Sequence, residues 1–305
     1  MVVFGGAVRI LVTSDGMNTL ERAAEYTTYL ADPAVTEIRL LGFCRAEEAT
    51  VEERRALQTL CDDLVEALEC PLDASLRCGD PAEEILAETA RYSYDLVVLG
   101  IHLRRRLTHL RPKVVARQLA TRIAAPLLVV FPEWGRLRRM LICTSAARED
   151  MPVVRTGGRL AHLADAAVTV LHVMSQIPIT ADADMADLQR SAEELMEHDA
   201  REGLHFEKAL DVLEEVGVPP DRAEAKIRHG LVVDQIVRES EEGNFDLIAI
   251  GAHHVSSDRS WHELRELIQE DIAERVLSEA RRPVLIVPSA SVQPVDAPLP
   301  DLGQW

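Results

Sequence analysis

Seven basic residues crowd one stretch of an otherwise acidic chain. Arg104, Arg105, Arg106, Arg111, Lys113, Arg117 and Arg122 fall between Ile101 and Arg122 with no Asp or Glu among them, in a protein of net charge −18. A guanidinium grips a phosphate through two parallel N–H donors, so the run is a candidate anion site. The competing role is charge pairing with acidic surface on the other half of the chain or on another subunit. Asp15, in the turn Ser14-Asp15-Gly16, is a second candidate. A carboxylate there could accept hydrogen bonds from a ribose or a base; a turn acid capping the following helix is the plainer alternative. His102, His109, His253, His254 and His262 sit in two loops. His253-His254 with His262 and Glu263 could be drawn as metal ligands, but the spacing fits no zinc pattern. GxSxG, HExxH and Cys–His arrangements are absent from the chain, so no catalytic centre is expected.

A duplicated chain positions these residues. SYDLVVLGIH, with Asp95 and Gly100, reads against NFDLIAIGAH, with Asp246 and Gly251, and Gly79 and Ile85 match Gly230 and Ile236 at the same offset. The opening strands RILVTSDG and RMLICTSA start at Arg9 and Arg139, and the closing strands PLLVVFP and PVLIVPS at Pro126 and Pro283. Blocks recurring in one order mean a tandem repeat. The boundary lies near Glu133–Arg136, giving domain one over 1–135, domain two over 136–290 and a disordered tail over 291–305, rich in proline. The second copy is longer before Gly230 and again after Gly251.

Within each copy strands alternate with helices. Continuous apolar runs at 8–13, 37–43, 95–100 and 127–131 suit buried parallel strands, and the second copy repeats the scheme at 140–145, 168–173, 223–227, 247–251 and 284–287. In the segment 47–69, Leu57, Leu60, Cys61, Leu64 and Leu68 fall on one helical face. Asn18 with Glu21 has capping-box spacing, and Asp80-Pro81 with Glu83 reads as an N-cap, a first-turn proline and a first-turn acid. The acidic segment from Met185 to Val216 gives the longest helix of copy two. The fold class is therefore α/β: two tandem, doubly wound, Rossmann-like domains, each with a five-stranded, mostly parallel sheet. Such sheets take ligands at the carboxyl ends of their strands. That singles out the turn after the first strand and the loop after Gly100 or Gly251. In copy two the first turn reads CTSAA, with Ala146 in place of the acid.

Composition bounds the rest. The chain has 305 residues, 47% apolar and 28% charged, with 33 basic residues against 51 acidic ones. That balance opposes nucleic-acid binding, which needs a basic face. No apolar run is long enough for a membrane span. The N-terminus MVVFGGAVRILV lacks a basic n-region and a cleavage site, so a cytoplasmic protein without a signal peptide is expected. Five cysteines, odd in number and without CxxC, read as reduced and mostly buried thiols.

The strand–Asp turn, the GD-P helix start and the DLVVLG-x-H strand end together resemble the universal stress protein family, over essentially the whole chain as two fused copies. The resemblance implies an adenine-nucleotide-hydrolase-like fold and, in ATP-binding members, a glycine at the strand end, a second glycine three residues on, and a later Gly-Ser/Thr pair. Both copies depart from that pattern. Gly100 is kept, but Leu103 stands for the second glycine and Lys113-Val114 for the Gly-Ser pair; Gly251 is kept, but His254 and then Glu270-Asp271 fill those places. Two carboxylates facing a triphosphate repel it. The first expectation is thus a non-enzymatic stress-response protein, acting through contacts with an unknown regulatory partner, with degenerate ATP motifs. The alternative is a sensor binding ATP, AMP or another phosphorylated metabolite in domain one alone, through Asp15, Gly100, Arg104, Arg105, Arg106 and Lys113; a weak ATPase ranks last. The family dimerises through its last strands, which implies an intrachain pseudo-dimer here and leaves room for a homodimer.

Overall fold

The computed structural model describes residues 8–14, 17–30, 36–44, 49–68, 72–101, 114–131, 135–146, 150–174, 192, 196, 201–252 and 272–288. The first half runs β1 (Val8–Ser14), α1 (Met17–Thr28), β2 (Thr36–Cys44), α2 (Val51–Leu68), β3 (Leu72–Cys78), α3 (Pro81–Arg91), β4 (Leu96–Gly100), α4 (Val114–Arg122) and β5 (Leu127–Val130). The second runs β6 (Arg139–Thr144), α5 (Met151–Leu163), β7 (Ala167–Met174), α6 (Arg201–Glu215), β8 (Ala223–His229), α7 (Val232–Glu242), β9 (Leu247–Ala252), α8 (Ile272–Glu279) and β10 (Val284–Pro288).

Each half is a parallel sheet whose order reverses beside its first strand, and the two sheets are one. The strand order is β3-β2-β1-β4-β5-β10-β9-β6-β7-β8. β5 meets β10 antiparallel, with Val129 opposite Val284 and Leu127 opposite Ile286, while every other pairing is parallel. Strands covered by helices on both faces must be apolar on both. Accordingly all five residues of β4 are buried, and β1 sends Ile10 and Val12 into one core and Leu11 into the other. Each core continues across the β5–β10 seam from one half to the other. Two Rossmann-like α/β halves of five strands each are the architecture expected.

Local chemistry sets the helix starts. Asp80 accepts from the Ala82 and Glu83 amides at 3.0 and 3.1 Å ahead of Pro81, as its sequence implies. A capping box that escapes sequence reading opens α2: the Thr50 amide donates to Glu53, and the Glu53 amide to Thr50 Oγ1. Leu57, Cys61 and Leu64 of α2 are buried, as the helical face requires. The Asn18 side chain, the tail 291–305, the loop 253–271 and most of 185–200 lie outside the described residues. The strand starts are pinned alike in both halves. Asp95 accepts from the Arg9 amide, and Asp246 from the Arg138 and Arg139 amides, all at 2.9 Å.

The expectation of reduced thiols needs correction. Cys44 and Cys78 form a disulfide. They end β2 and β3 and stand directly opposite in the ladder, with Cα atoms 5.1 Å apart, inside the range a disulfide spans. Their separation of 34 residues hides the pair from a search for close cysteines. Cys61 and Cys143 are buried free thiols, and Cys70 lies outside the described residues.

Candidate functional site

The reversal of strand order falls between β1 and β4 in the first half and between β6 and β9 in the second, so the two candidate sites lie at those carboxyl ends. In copy one Ser14 stands opposite Gly100, and both are buried. A Cβ on Gly100 would lie 2.3 Å from the Thr19 carbonyl oxygen and 3.1 Å from Ala23 Cβ. The glycine is thus demanded by the close approach of α1, a packing requirement that needs no ligand. Asp15, Arg104, Arg105, Arg106 and Lys113 lie outside the described residues. Of the seven-residue basic run, Arg117 and Arg122 are described, and both are paired. Arg117 Nε reaches Glu274 at 2.8 Å, joining α4 of copy one to α8 of copy two. Arg122 holds Glu83 through both nitrogens, at 2.5 and 3.1 Å.

Copy two differs at the same place. The ladders align Ser14 with Thr144, since Ser14 faces Gly100 and Cys143 faces the residue before Gly251. The residue equivalent to Asp15 is therefore Ser145, and Ala146 takes the place of Gly16, which corrects the reading of Ala146 as the substitute for the acid. Ala146 has φ +59°, the left-handed region where glycine is at ease. A carboxylate also serves the turn. Asp150, buried at the start of α5, accepts from the Ser145 amide at 2.6 Å and from Ser145 Oγ at 2.9 Å. The carboxylate that the CTSAA turn itself lacks is thus supplied from the start of α5.

Alternation along the strands puts Thr144, His172 and His229 on one sheet face at this edge. His172 Nδ1 lies 3.0 Å from the Thr144 carbonyl, and donates to it in the tautomer that this contact favours. Thr144 Oγ1 and His229 Nδ1 are buried without a hydrogen-bond partner among the described residues. In copy one the same ladder places hold Ser14, Gly42 and the Cys44–Cys78 disulfide. Sequence reasoning missed His172, His229 and Asp150. The signal for the two histidines was parity: each continues the inward alternation of its strand.

Two cavities open elsewhere. One of about 300 Å³ is lined by Arg9, Glu37, Arg39, Asp73, Tyr92 and Tyr94, and one of about 360 Å³ by His162, Asp165, Gly217 and Arg222 among others. Both lie toward the amino ends of the strands, away from the switch points. Their polar groups are occupied: Arg9 pairs with Glu37 at 2.9 Å, Arg222 with Asp165, and His162 Nδ1 meets the Gly217 carbonyl at 2.8 Å. Among the described residues no group of three or more His, Cys, Asp or Glu could hold a metal ion, and no helix is long and apolar enough to cross a membrane. Gly251 is partly exposed opposite Val287.

Against known proteins, the chain matches the universal stress protein family twice, over residues 8–130 and 136–288. Among solved structures it resembles a universal stress protein from Archaeoglobus fulgidus, with a TM-score of 0.61 and 13% identity over 92% of this chain and 98% of that one. A putative universal stress protein from Pseudomonas aeruginosa gives a TM-score of 0.60 and 15% identity over 93% of this chain and 94% of that one. At such identities these two likenesses speak for the fold alone.

Proposed function

We propose a function from one premise: the chain belongs to the universal stress protein family, as two tandem copies. On our reading it is a non-enzymatic cytoplasmic regulator that works through protein contacts, and the phosphate sites of both copies have lost their purpose. The observation that carries this is Asp150. A helix start offers amides and a positive dipole end to an anion. In copy two the Asp150 carboxylate lies at the start of α5 and already engages the Ser145 amide and hydroxyl. A phosphate entering there would meet a fixed negative charge. In copy one the Gly100 backbone is covered by Thr19 of α1, and the described part of the basic run is spent on Glu274 and Glu83. The acidic stretch 185–216, which includes α6, and residues 253–271 are the segments we assign to partners, with a second copy of the chain as a further candidate.

Native mass spectrometry of the freshly purified chain, with thermal-shift titration of ATP, AMP and cyclic AMP, tests the reading. The expected result is an empty chain whose melting temperature ignores all three. Ligand present at about a hundred times its dissociation constant would add about 2.7 kcal/mol, which such a titration would register. One co-purifying nucleotide per chain, lost in Asp15→Ala, would replace this reading with a sensor in domain one. ATP turnover lost in the same variant would restore an enzyme.

A further inference from the structure

We propose that Cys44 and Cys78 are a redox-reversible pair, whose bond fastens the carboxyl ends of β2 and β3 and whose reduction loosens the start of α3. The duplicated chain supplies the first argument. The ladder between β2 and β3 ends at Cys44 opposite Cys78, and the equivalent ladder between β7 and β8 ends at Met174 opposite His229. Both ladders run over seven residue pairs. Copy two closes its ladder with no covalent bond, so this strand pairing does not depend on one. The bond in copy one adds a constraint that can be withdrawn with the fold intact.

Access is the second argument. β3 is one of the two outermost strands of the sheet, and Cys78 at its end is partly exposed, whereas Cys44 is buried. An external thiolate can therefore reach the Cys78 sulfur from the open edge. It forms a mixed disulfide with Cys78 and releases Cys44 as a thiolate, which takes a proton. A second external thiol then frees Cys78. The balance is two small thiols and one protein disulfide giving one small disulfide and two protein thiols; a small disulfide, the oxidant of the reverse direction, restores the bond. Cys61 and Cys143 are poor competitors. Both are buried, and burial pushes each thiol pKa up, leaving little thiolate to attack.

The bond also sits where its loss is transmitted. Cys78 leads through Gly79 to Asp80, whose carboxylate caps α3. The next residues carry Glu83, which Arg122 of α4 holds. Freed strand ends give Asp80 more freedom, so the first turn of α3 frays while the rest of the sheet stays paired.

The experiment uses the full wild-type chain in glutathione buffers of graded reduced-to-oxidised ratio at neutral pH. Thiols are trapped by alkylation and located by peptide mass spectrometry, and hydrogen exchange is followed in parallel. The expected result is a reversible two-electron transition confined to Cys44 and Cys78, with exchange over residues 78–85 accelerated roughly five-fold or more on reduction and β6–β8 unchanged. Cys44→Ser with Cys78→Ser should reproduce the fast exchange in either buffer, and Cys70→Ser should leave the transition where it was. A bond that resists the most reducing buffer would overturn the proposal, as would thiols that stay free in the most oxidising one. So would a transition that moves with Cys70→Ser, or exchange over 78–85 indifferent to the redox state. Wild-type protein carries the main readout, so the proposal stands or falls on it even where the double variant fails to fold.

Discussion

The two halves agree where the third helix of each packs on its sheet and differ at the ends of β2–β3 and β7–β8, and the agreement is one of charge balance rather than of residues. Each half buries one carboxylate on its third helix: Glu88 on α3 and Glu239 on α7, both 2% exposed. In copy one Glu88 is met by Arg39 of β2 at 2.8 Å, an ion pair without hydrogen-bond alignment, by Arg77 of β3 at 3.7 Å, and by the Tyr94 hydroxyl at 2.9 Å. In copy two both cations come from β8, Lys226 at 2.9 Å and Arg228 in close contact. Arg77 and Arg228 are equivalent; the other cation has moved one strand over. The ladder shows the exchange: Arg39 opposite Asp73 becomes Thr169 opposite Glu224, and Ser75 opposite Leu41 becomes Lys226 opposite Leu171. A buried carboxylate without compensation is prohibitive, so the fold requires a second positive charge but not its address. No such demand acts on the strand ends, where copy one has a disulfide and copy two has Met174 opposite His229.

The sharpest way to break that equivalence is to remove the moved cation. Arg39→Thr, which installs the copy-two residue, should destabilise the chain by about 2–4 kcal/mol, because Glu88 keeps the Tyr94 hydroxyl but only one cation, the distant Arg77. Adding Ser75→Lys, the other copy-two residue, should recover most of that loss, giving a coupling of about 1–3 kcal/mol in a double-mutant cycle by urea denaturation. Ser75 Oγ is itself buried without a partner among the described residues, so its removal costs no hydrogen bond there. Simple addition of the two effects would show that the strands are not interchangeable.

A smaller effect separates packing from ligand chemistry at Gly100. Gly100→Ala forces α1 away from a contact of 2.3 Å and should cost about 1–3 kcal/mol. Gly135→Ala, with open space around its Cβ, should be close to neutral in the same melts. Equal effects would remove the steric account of Gly100. Asp150→Ala should cost about 1–2 kcal/mol through the loss of two hydrogen bonds to Ser145, seen by denaturation. If that variant instead left stability unchanged, the carboxylate would not be the element holding the copy-two turn.

Buried repetition is legible in the sequence; of the two outermost strands only β8 is, through the run 223–227. The apolar runs that form β1, β2, β4 and β5 stand out because both faces are covered, and Asp95 and Asp246 are marked by their recurrence. β3 does not stand out: the face it turns toward Glu88 of α3 carries Asp73, Ser75 and Arg77, polar residues that interrupt the apolar run, and its other face has only Leu72, Ala74 and Leu76 ahead of Cys78. The turn is placed one position off when TSDG is matched to TSAA, whereas the Arg9–Arg139 alignment of the opening strands and the hydrogen-bonded register both make Ser145 the equivalent of Asp15. The acid at Asp150 is hidden for the same reason, since no spacing rule says that a helix-start carboxylate folds back on its own turn. Of the site residues picked from sequence, Gly100 receives a packing explanation that string matching cannot provide. The disulfide needs the ladder as well, because 34 residues separate its halves.

The smallest of the expected effects, one of pH, distinguishes the charge networks of the two halves. In copy two the network reaches the surface. Arg228 also holds Glu242, and Arg238 binds the same carboxylate from one helical turn away at 2.6 Å. The Arg228 hydrogen bond, followed by that of Arg238, pulls the Glu242 carboxyl down from 4.5 to about 2. A group whose folded pKa is depressed contributes stability above its unfolded pKa and loses it as pH falls through the folded one. The contribution of Glu242 should therefore be complete at neutral pH, begin to fade below about pH 5 and be gone near pH 2. Solvent exposure keeps the effect modest, and salt should shrink it. Glu242→Gln should flatten the stability curve across that window, lying below wild type by a constant amount above about pH 6 and meeting it near pH 2. Parallel curves for wild type and Glu242→Gln below about pH 5 would mean that the surface arm of the network adds nothing, and that copy two, like copy one, holds its buried carboxylate from within.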